Sequence, residues 1–260
     1  MKEKILDGKK HGMRNLLLGV AFVIVGVACF VYGGINLENG KAAGGALIAA
    51  AFVLVIAAIF MLAGLRVLKP QEALVLTLFG KYIGTLKGEG FYAINPFCSA
   101  VNPASDTKLN QSGDVKTLSP AKSVNSDGVT VNVAAIPNKK ISLKIMTLNN
   151  NRQKINDCLG NPVEIGIAVT WKVVDTAKAA FCVDNYKEYL SLQCDSALRN
   201  IVRIYPYDVA PNVDTTGDGL ADEGSLRGSS EVVAERIKKE IQSRVETAGL
   251  EIVEARITYL

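Results

Sequence analysis

Residues 16–35 read LLLGVAFVIVGVACFVYGGI and residues 42–65 read AAGGALIAAAFVLVIAAIFMLAGL, with only residues 36–41 between them. Neither run holds a charged side chain. An α-helix rises about 1.5 Å per residue, so about twenty residues cross a hydrocarbon core of roughly 30 Å. Both runs are long enough, and the short break leaves room for little but an antiparallel hairpin. Two uncharged runs in tandem exceed the length of an ordinary core helix. The first is also longer than the apolar region of a signal peptide, and a second span follows at once. The expectation is a tail over residues 1–15, a transmembrane helical hairpin over residues 16–65, and everything from Arg66 onward on one side of a bilayer.

Flanking charge sets the orientation. Lys2, Lys4, Lys9, Lys10 and Arg14 precede the first run, and Arg66, Lys69 and Lys81 follow the second, whereas the break carries only Glu38 and Lys41. The positive-inside rule then places the basic tail and the large C-terminal part in the cytoplasm of a two-span cell-membrane protein. Gly19, Gly26, Gly33, Gly34 and the Ala- and Gly-rich stretch 42–51 permit close helix contact. The chain is 49% hydrophobic and 21% charged, with a net charge of +4. Much of that charge sits in the tail, where it would meet anionic lipid headgroups. No basic run is interleaved with aromatics, so nucleic acid is not an expected partner. Cys29, Cys98, Cys158, Cys182 and Cys194 are odd in number and lack CxxC spacing. That argues against a disulfide framework or a zinc site and fits a reducing compartment. On the cytoplasmic side the sequon Asn110-Gln111-Ser112 would be inert.

Beyond the spans the pattern is that of an α+β domain over residues 66–260, strands first and helices later. Residues 72–79 and 82–86 read as a hairpin around Gly80. The turn-rich segment after it carries Phe91, Tyr92 and Phe97, which either plug the core or lie close to the headgroups. Residues 102–127 are polar with little periodicity and read as a long surface loop. Residues 129–136 and 140–148 read as a strand pair around Pro137-Asn138-Lys139. The clearest strand is 163–173, with Val163, Ile165, Ile167, Val169, Trp171 and Val173 on one face. A short helix covers 175–181. A longer one runs from an Asp184 N-cap to Arg203, with Tyr186, Leu190, Cys194, Ala197 and Ile201 as its apolar stripe. After a Gly- and Asp-rich loop over 209–224, a helix over 230–248 aligns Val233, Ile237, Ile241 and Val245. Its pairs Glu235–Lys239 and Glu240–Arg244 are spaced for surface contact. Gly249 closes it. A strand returns over 250–260 with Val253, Ala255, Ile257 and Tyr259 on one face.

The sequence Pro70-Gln71-Glu72-Ala73-Leu74-Val75, then Phe79-Gly80-Lys81, Gly90-Phe91 and Pro96-Phe97, resembles the opening of the stomatin/prohibitin/flotillin superfamily, the SPFH or band 7 domain. The likeness continues through Asn156-Asp157, Gly160-Asn161-Pro162-Val163-Glu164 and Val169-Thr170-Trp171-Lys172-Val173. It extends to Gln193-Cys194-Asp195-Ser196-Ala197-Leu198-Arg199, Tyr205-Pro206-Tyr207-Asp208, Ser225-Leu226-Arg227-Gly228 and residues 248–257. The chain looks most like bacterial stomatin-like proteins. The resemblance implies a non-enzymatic, membrane-anchored scaffold that forms large homo-oligomers, organises membrane microdomains and holds client membrane proteins. It also implies partnership with an NfeD-like membrane protein or a membrane protease in protein quality control. The alternative is a regulatory subunit of a membrane protease or channel. Two departures stand out. Residues 102–139 look like an insertion, and the long Gln- and Ala-rich assembly helix of the family would follow Leu260.

No residue set in the chain reads as catalytic, cofactor-binding or metal-ligating. His11 is the only histidine and precedes the first span, which excludes a Ser-His-Asp or Cys-His site inside the domain. No Walker A sequence and no G-x-S-x-G elbow occur. Asp214, Asp218 and Asp222 around Gly219 have part of a calcium-loop spacing, but Thr216 and Ser225 replace two acidic ligands. An acidic surface loop is the better reading of that stretch. Cys158, Cys182 and Cys194 read as small apolar core filler. Arg199 and Arg203 suit either a protomer contact or a solvated helix face.

Overall fold

The computed structural model describes residues 2–6, 11–39, 43–109, 116–117, 121–124, 130–133, 138–150, 152–208 and 225–260. It comprises two compact units, Lys4–Ala100 and Val101–Leu260 with Met1–Glu3. Asp214, Asp218 and Asp222, and the sequon at Asn110, lie outside the described residues.

The first unit opens with α1 (Gly12–Glu38) and α2 (Ala43–Ala63). A Cβ on Gly19 would meet Leu62, one on Gly26 would meet Val55, and one on Gly33 would meet Ile48. The rising and falling numbers show that the helices pair antiparallel. The second helix stops slightly short of the apolar run, because Gly64 turns the chain directly into a sheet. The Gly64 carbonyl accepts from Ile94 N at 2.9 Å, and a Cβ there would fall on the Ile94 carbonyl oxygen.

Strands β1 (Leu65–Leu68), β2 (Glu72–Leu78), β3 (Lys81–Lys87), β4 (Gly90–Ala93) and β5 (Cys98–Val101) follow. β1 pairs antiparallel with β4, β2 with β3, and β5 joins β2. The core of these strands is Leu68, Leu74, Leu76, Leu86, Tyr92 and Ile94, with Leu6, Cys98 and Ala100 packed on it. The β2–β3 register closes at Leu78↔Lys81, leaving a two-residue loop with φ of +48° at Phe79 and +84° at Gly80. Positive φ at both central residues suits the right-handed twist of a tight hairpin, and asparagine-glycine is its usual sequence. For phenylalanine the left-handed region costs roughly 1–2 kcal/mol.

The second unit carries β6 (Thr107–Lys108), β7 (Lys116–Thr117), β8 (Ala121–Val124), β9 (Thr130–Val133), β10 (Ile141–Ser142), β11 (Met146–Asn149), β12 (Gln153–Asn156) and β13 (Pro162–Val173). Three helices follow, α3 (Thr176–Phe181), α4 (Tyr186–Val202) and α5 (Ser230–Val245), then a 3₁₀ turn (Glu246–Ala248) and β14 (Leu250–Tyr259). The segment 102–127 expected as loop contains the short antiparallel ladder β6–β7 and the strand β8, which pairs with β9 just beyond it. The expected pair 129–136 with 140–148 does not form as such. β9 pairs back with β8, and β11 pairs with β13.

β13 is the centre of the main sheet. β11 and β14 both align with its residues 168–171 and therefore take opposite edges, while β12 pairs with residues 162–165. All six apolar residues expected on its inner face are buried, and Trp171 is 1% exposed. Trp171 meets Tyr186 of α4 edge-on at 6.3 Å between ring centroids, a favoured aromatic arrangement. On β14 the expected face breaks. Leu250, Ile252 and Ala255 are buried, whereas Val253 and Tyr259 are exposed. The ladder pairs Trp171 with Ile252 but Thr170 with Glu254, so Val253 is an extra, unopposed residue. Such a bulge shifts the alternation by one position.

The α4 stripe is buried as expected. Its N-cap is Asn185, not Asp184. Asn185 is extended at φ −145°, and its side-chain oxygen accepts from the amides of Lys187 and Glu188. On α5, Val233, Ile237, Ile241 and Val245 are buried. Of the two expected pairs, Glu240–Arg244 forms at 2.5 Å, while Glu235 pairs with Lys238 at 3.8 Å instead of Lys239. Gly249 is left-handed at φ +70° and ends the turn, as expected.

Candidate membrane anchor

The buried residues of α1 are Gly12, Gly19, Gly26, Gly33 and Asn36, and those of α2 are Gly44, Ala51 and Ala58. Apart from Asn36 they recur every seven residues, the repeat that keeps one seam facing a neighbouring helix. Glycine richness was legible in the sequence, but this spacing was missed. The large apolar residues, among them Leu17, Ile24, Phe30, Val31, Phe52, Val53, Ile56 and Ile59, point outward and are exposed. A water-soluble helix pair does the opposite, burying its large apolar side chains. Only 17% and 11% of the most apolar stretch of each helix is buried, unlike the mostly buried core helix of a soluble protein. Small residues inside and large apolar residues outside is the arrangement of helices packed in lipid.

Polar groups gather at the ends of the pair. The Asn36 amide donates to the Tyr32 carbonyl at 3.0 Å, satisfying itself within its own helix. At the far end of α2, the Arg66 guanidinium donates to the Ala63 and Leu65 carbonyls at 3.3 and 3.0 Å. A cation there complements the negative end of the helix. His11 precedes the first turn of α1 and caps it with no side-chain hydrogen bond.

Residues 4–6 of the tail belong to the same unit. Leu6 N donates to the Thr85 carbonyl at 2.9 Å and Thr85 N to the Lys4 carbonyl at 2.8 Å, making Ile5 a parallel bridge on β3. The close approach depends on Gly84, where a Cβ would sit 2.6 Å from Leu6 Cγ and 2.8 Å from the Lys4 oxygen. Tail and β3 therefore lie at the same end of the antiparallel helices. Gly84→Val is expected to expel residues 4–6, read as faster hydrogen exchange at the Leu6 and Thr85 amides with the rest of the chain unchanged. Unaltered exchange there would show that the tail makes no lasting contact.

Of the three aromatics left open by the sequence, Tyr92 is in the core at 2% exposure, its hydroxyl donating to the Lys87 and Gly88 carbonyls. Phe91 is half-buried and Phe97 is exposed. The cysteines divide differently from the expectation. Cys194 is buried, and burial, then the charge of Asp195, pushes its thiol well above the usual range. Cys158 and Cys182 are exposed, not core filler. Both fall at turns after the last buried position of their element, where residue type alone does not report burial. Cys29 is partly buried in α1. Arg199 reaches Gln153 at 3.4 Å, and Arg203 is exposed. Among the described residues no group of three or more His, Cys, Asp or Glu converges on a metal position.

A buried carboxylate in the second unit acts as a clamp. Asp157 is 5% exposed and accepts from Leu159 N at 2.9 Å, Asn161 N at 2.7 Å, the Asn161 amide at 3.1 Å and Tyr207 N at 3.1 Å. It holds the β12–β13 turn to the chain leaving α4. Burial works to raise its pKa, but the bonds from Asn161, Tyr207 and Leu159 outweigh it and hold the group below the ordinary 3.8. The ionised form is thus favoured by folding. Its contribution is complete above the ordinary value and is lost as the pH falls through the lower folded value. Asp157→Ala is expected to cost about 2 kcal/mol at neutral pH and to flatten the acid limb of the stability curve. An acid limb identical to that of the wild type would contradict this role.

A search of curated proteins returns no match for this chain. The sequence model of the SPFH domain / Band 7 family matches residues 66–260, three quarters of the chain and all of the strands and helices that follow α2. The chain belongs to the SPFH domain / Band 7 family.

Proposed function

We propose that this protein is a non-enzymatic scaffold, anchored by α1 and α2, that assembles into large homo-oligomers, organises membrane microdomains and gathers client membrane proteins. Within the family we assign it to the stomatin-like type, with an NfeD-like membrane protein or a membrane protease as partner in protein quality control. The observation that carries the reading is the anchor itself. The lipid-type helix pair shares one compact unit with the first strands of the matched region, so those strands are held at the membrane. Band 7 proteins are generally scaffold-like, which supports the assembly. The basic flanks of the pair support a cytoplasmic tail and domain. The main sheet around β13 and the helices after it offer the lateral contacts between protomers. Many modest repeated interfaces then hold the assembly by multivalency.

Particle mass tests this reading. Detergent- or polymer-extracted protein, run beside the longest natural form, is expected to give large particles by size exclusion with light scattering. Particles only from the longer form would place the contacts beyond Leu260. Monomers or dimers from both would overturn the assembly and favour a regulatory subunit of a membrane protease or channel.

A further inference from the structure

Phe79 is the most exposed large apolar residue among those described, at 87%, and it occupies a left-handed position that favours asparagine or glycine. Neither backbone preference nor core packing accounts for phenylalanine at this turn. Its ring does have neighbours. It stacks on Phe97 at 6.4 Å between centroids with a 28° interplanar angle, and Phe97 lies 5.8 Å from Phe60 of α2. Phe97 and Phe60 are themselves 57% and 48% exposed. The three rings form a row that starts on the apolar helix and runs sideways to the tip of the β2–β3 hairpin. Phe60 stands three residues before the end of α2, about 4.5 Å along the axis, and Arg66 marks the helix end just beyond. The row therefore lies at the level where α2 leaves the hydrocarbon. Exposed Lys81 follows the turn, placing a cation beside the aromatics as at a membrane–water boundary.

We propose that Phe79 and Phe97 insert into the interfacial layer of the bilayer that holds α1 and α2, so that the hairpin tip is a third point of membrane attachment. The proposal rests on the reading of α1 and α2 as membrane spans. It explains the pairing of an unfavourable backbone position with a large exposed ring, since burial of the ring in lipid offsets the strained turn. The partner is the lipid itself, indicated by the continuity of the row with the lipid-facing surface of α2. With its tip seated in the membrane, the hairpin cannot swing freely about the helix end.

Tryptophan quenching tests it in the full chain, reconstituted into phosphatidylcholine–phosphatidylglycerol vesicles with or without phosphatidylcholine brominated near the top of its acyl chains. Trp171 is buried and gives a constant background. Phe79→Trp and Phe97→Trp are expected to add emission that the brominated lipid strongly quenches, as it quenches Phe30→Trp on α1. Val232→Trp, at an exposed position on α5, is expected to add emission that stays unquenched. Quenching at position 30 with none at 79 and 97 would overturn the insertion while leaving the anchor intact. No quenching at position 30 would overturn the anchor and the insertion together. A second variant, Phe79→Asn, is expected to raise the melting temperature in detergent or leave it unchanged. A marked fall would assign Phe79 to packing inside the protein and overturn the proposal.

Discussion

Trp171→Ala is expected to lower the stability of the domain by about 3–5 kcal/mol, the usual cost of emptying a large buried aromatic site. Trp171 lies mid-strand on β13, paired with Met146 on one edge and Ile252 on the other, with Tyr186 against its ring. Three elements from distant parts of the sequence thus share one cavity if the ring is removed, and a paired sheet cannot collapse to fill it. Trp171→Phe should cost much less. The indole nitrogen has no hydrogen-bond partner among the described residues, so only volume is lost. Thermal unfolding of the extracted full chain measures both. Equal losses from the two variants would place the ring's importance in its polar atom and contradict this account.

Gly33→Leu is expected to force the two anchor helices apart. A Cβ at position 33 would meet Ile48 Cγ1 at 2.9 Å, the Gly44 oxygen at 3.1 Å and Ile48 N at 3.2 Å. Two of those atoms are backbone, so the helices must move apart instead of a side chain turning away. Overpacking of this kind costs about 1–3 kcal/mol, and the upper end applies where backbone blocks relief. Gly34 is the internal control, since a Cβ there meets nothing within 4 Å. In a Cys29→Ser background, cysteines at Phe30 and Phe52, whose rings sit 6.2 Å apart, can be joined by a short thiol cross-linker. Gly33→Leu should lose the cross-link and Gly34→Leu should keep it. Loss in both, or in neither, would contradict the seam.

The elements legible in the sequence are those with one continuous buried face. β13 keeps Val163, Ile165, Ile167, Val169, Trp171 and Val173 buried at every second position, and α5 places Val233, Ile237, Ile241 and Val245 on one stripe, so period alone located both. β14 was legible as a strand but not as a face, because one unopposed residue at Val253 reverses the alternation and nothing in a string of apolar residues announces it. The α4 cap fell one residue away since Asp184 and Asn185 are both competent caps, and only the extended backbone of Asn185 selects between them. In the anchor, the apolar runs mark the two helices, and the seven-residue recurrence from Gly12 to Gly33 is legible as well. Phe79 was not readable. A strand ending in phenylalanine looks ordinary until the turn places that residue at positive φ. Asp157 likewise gains its meaning from Tyr207, fifty residues away.

We propose that an antiparallel helical hairpin delivers the N-terminal tail and the band 7 domain to the same face of a membrane. Reporter fusions at residue 1 and after residue 260, with a third inserted between Glu38 and Ala43, test it most directly in intact cells. Cytoplasmic activity at both ends and external activity in the hairpin turn is the predicted result. Ends on opposite faces would contradict the hairpin, and with it the anchored scaffold.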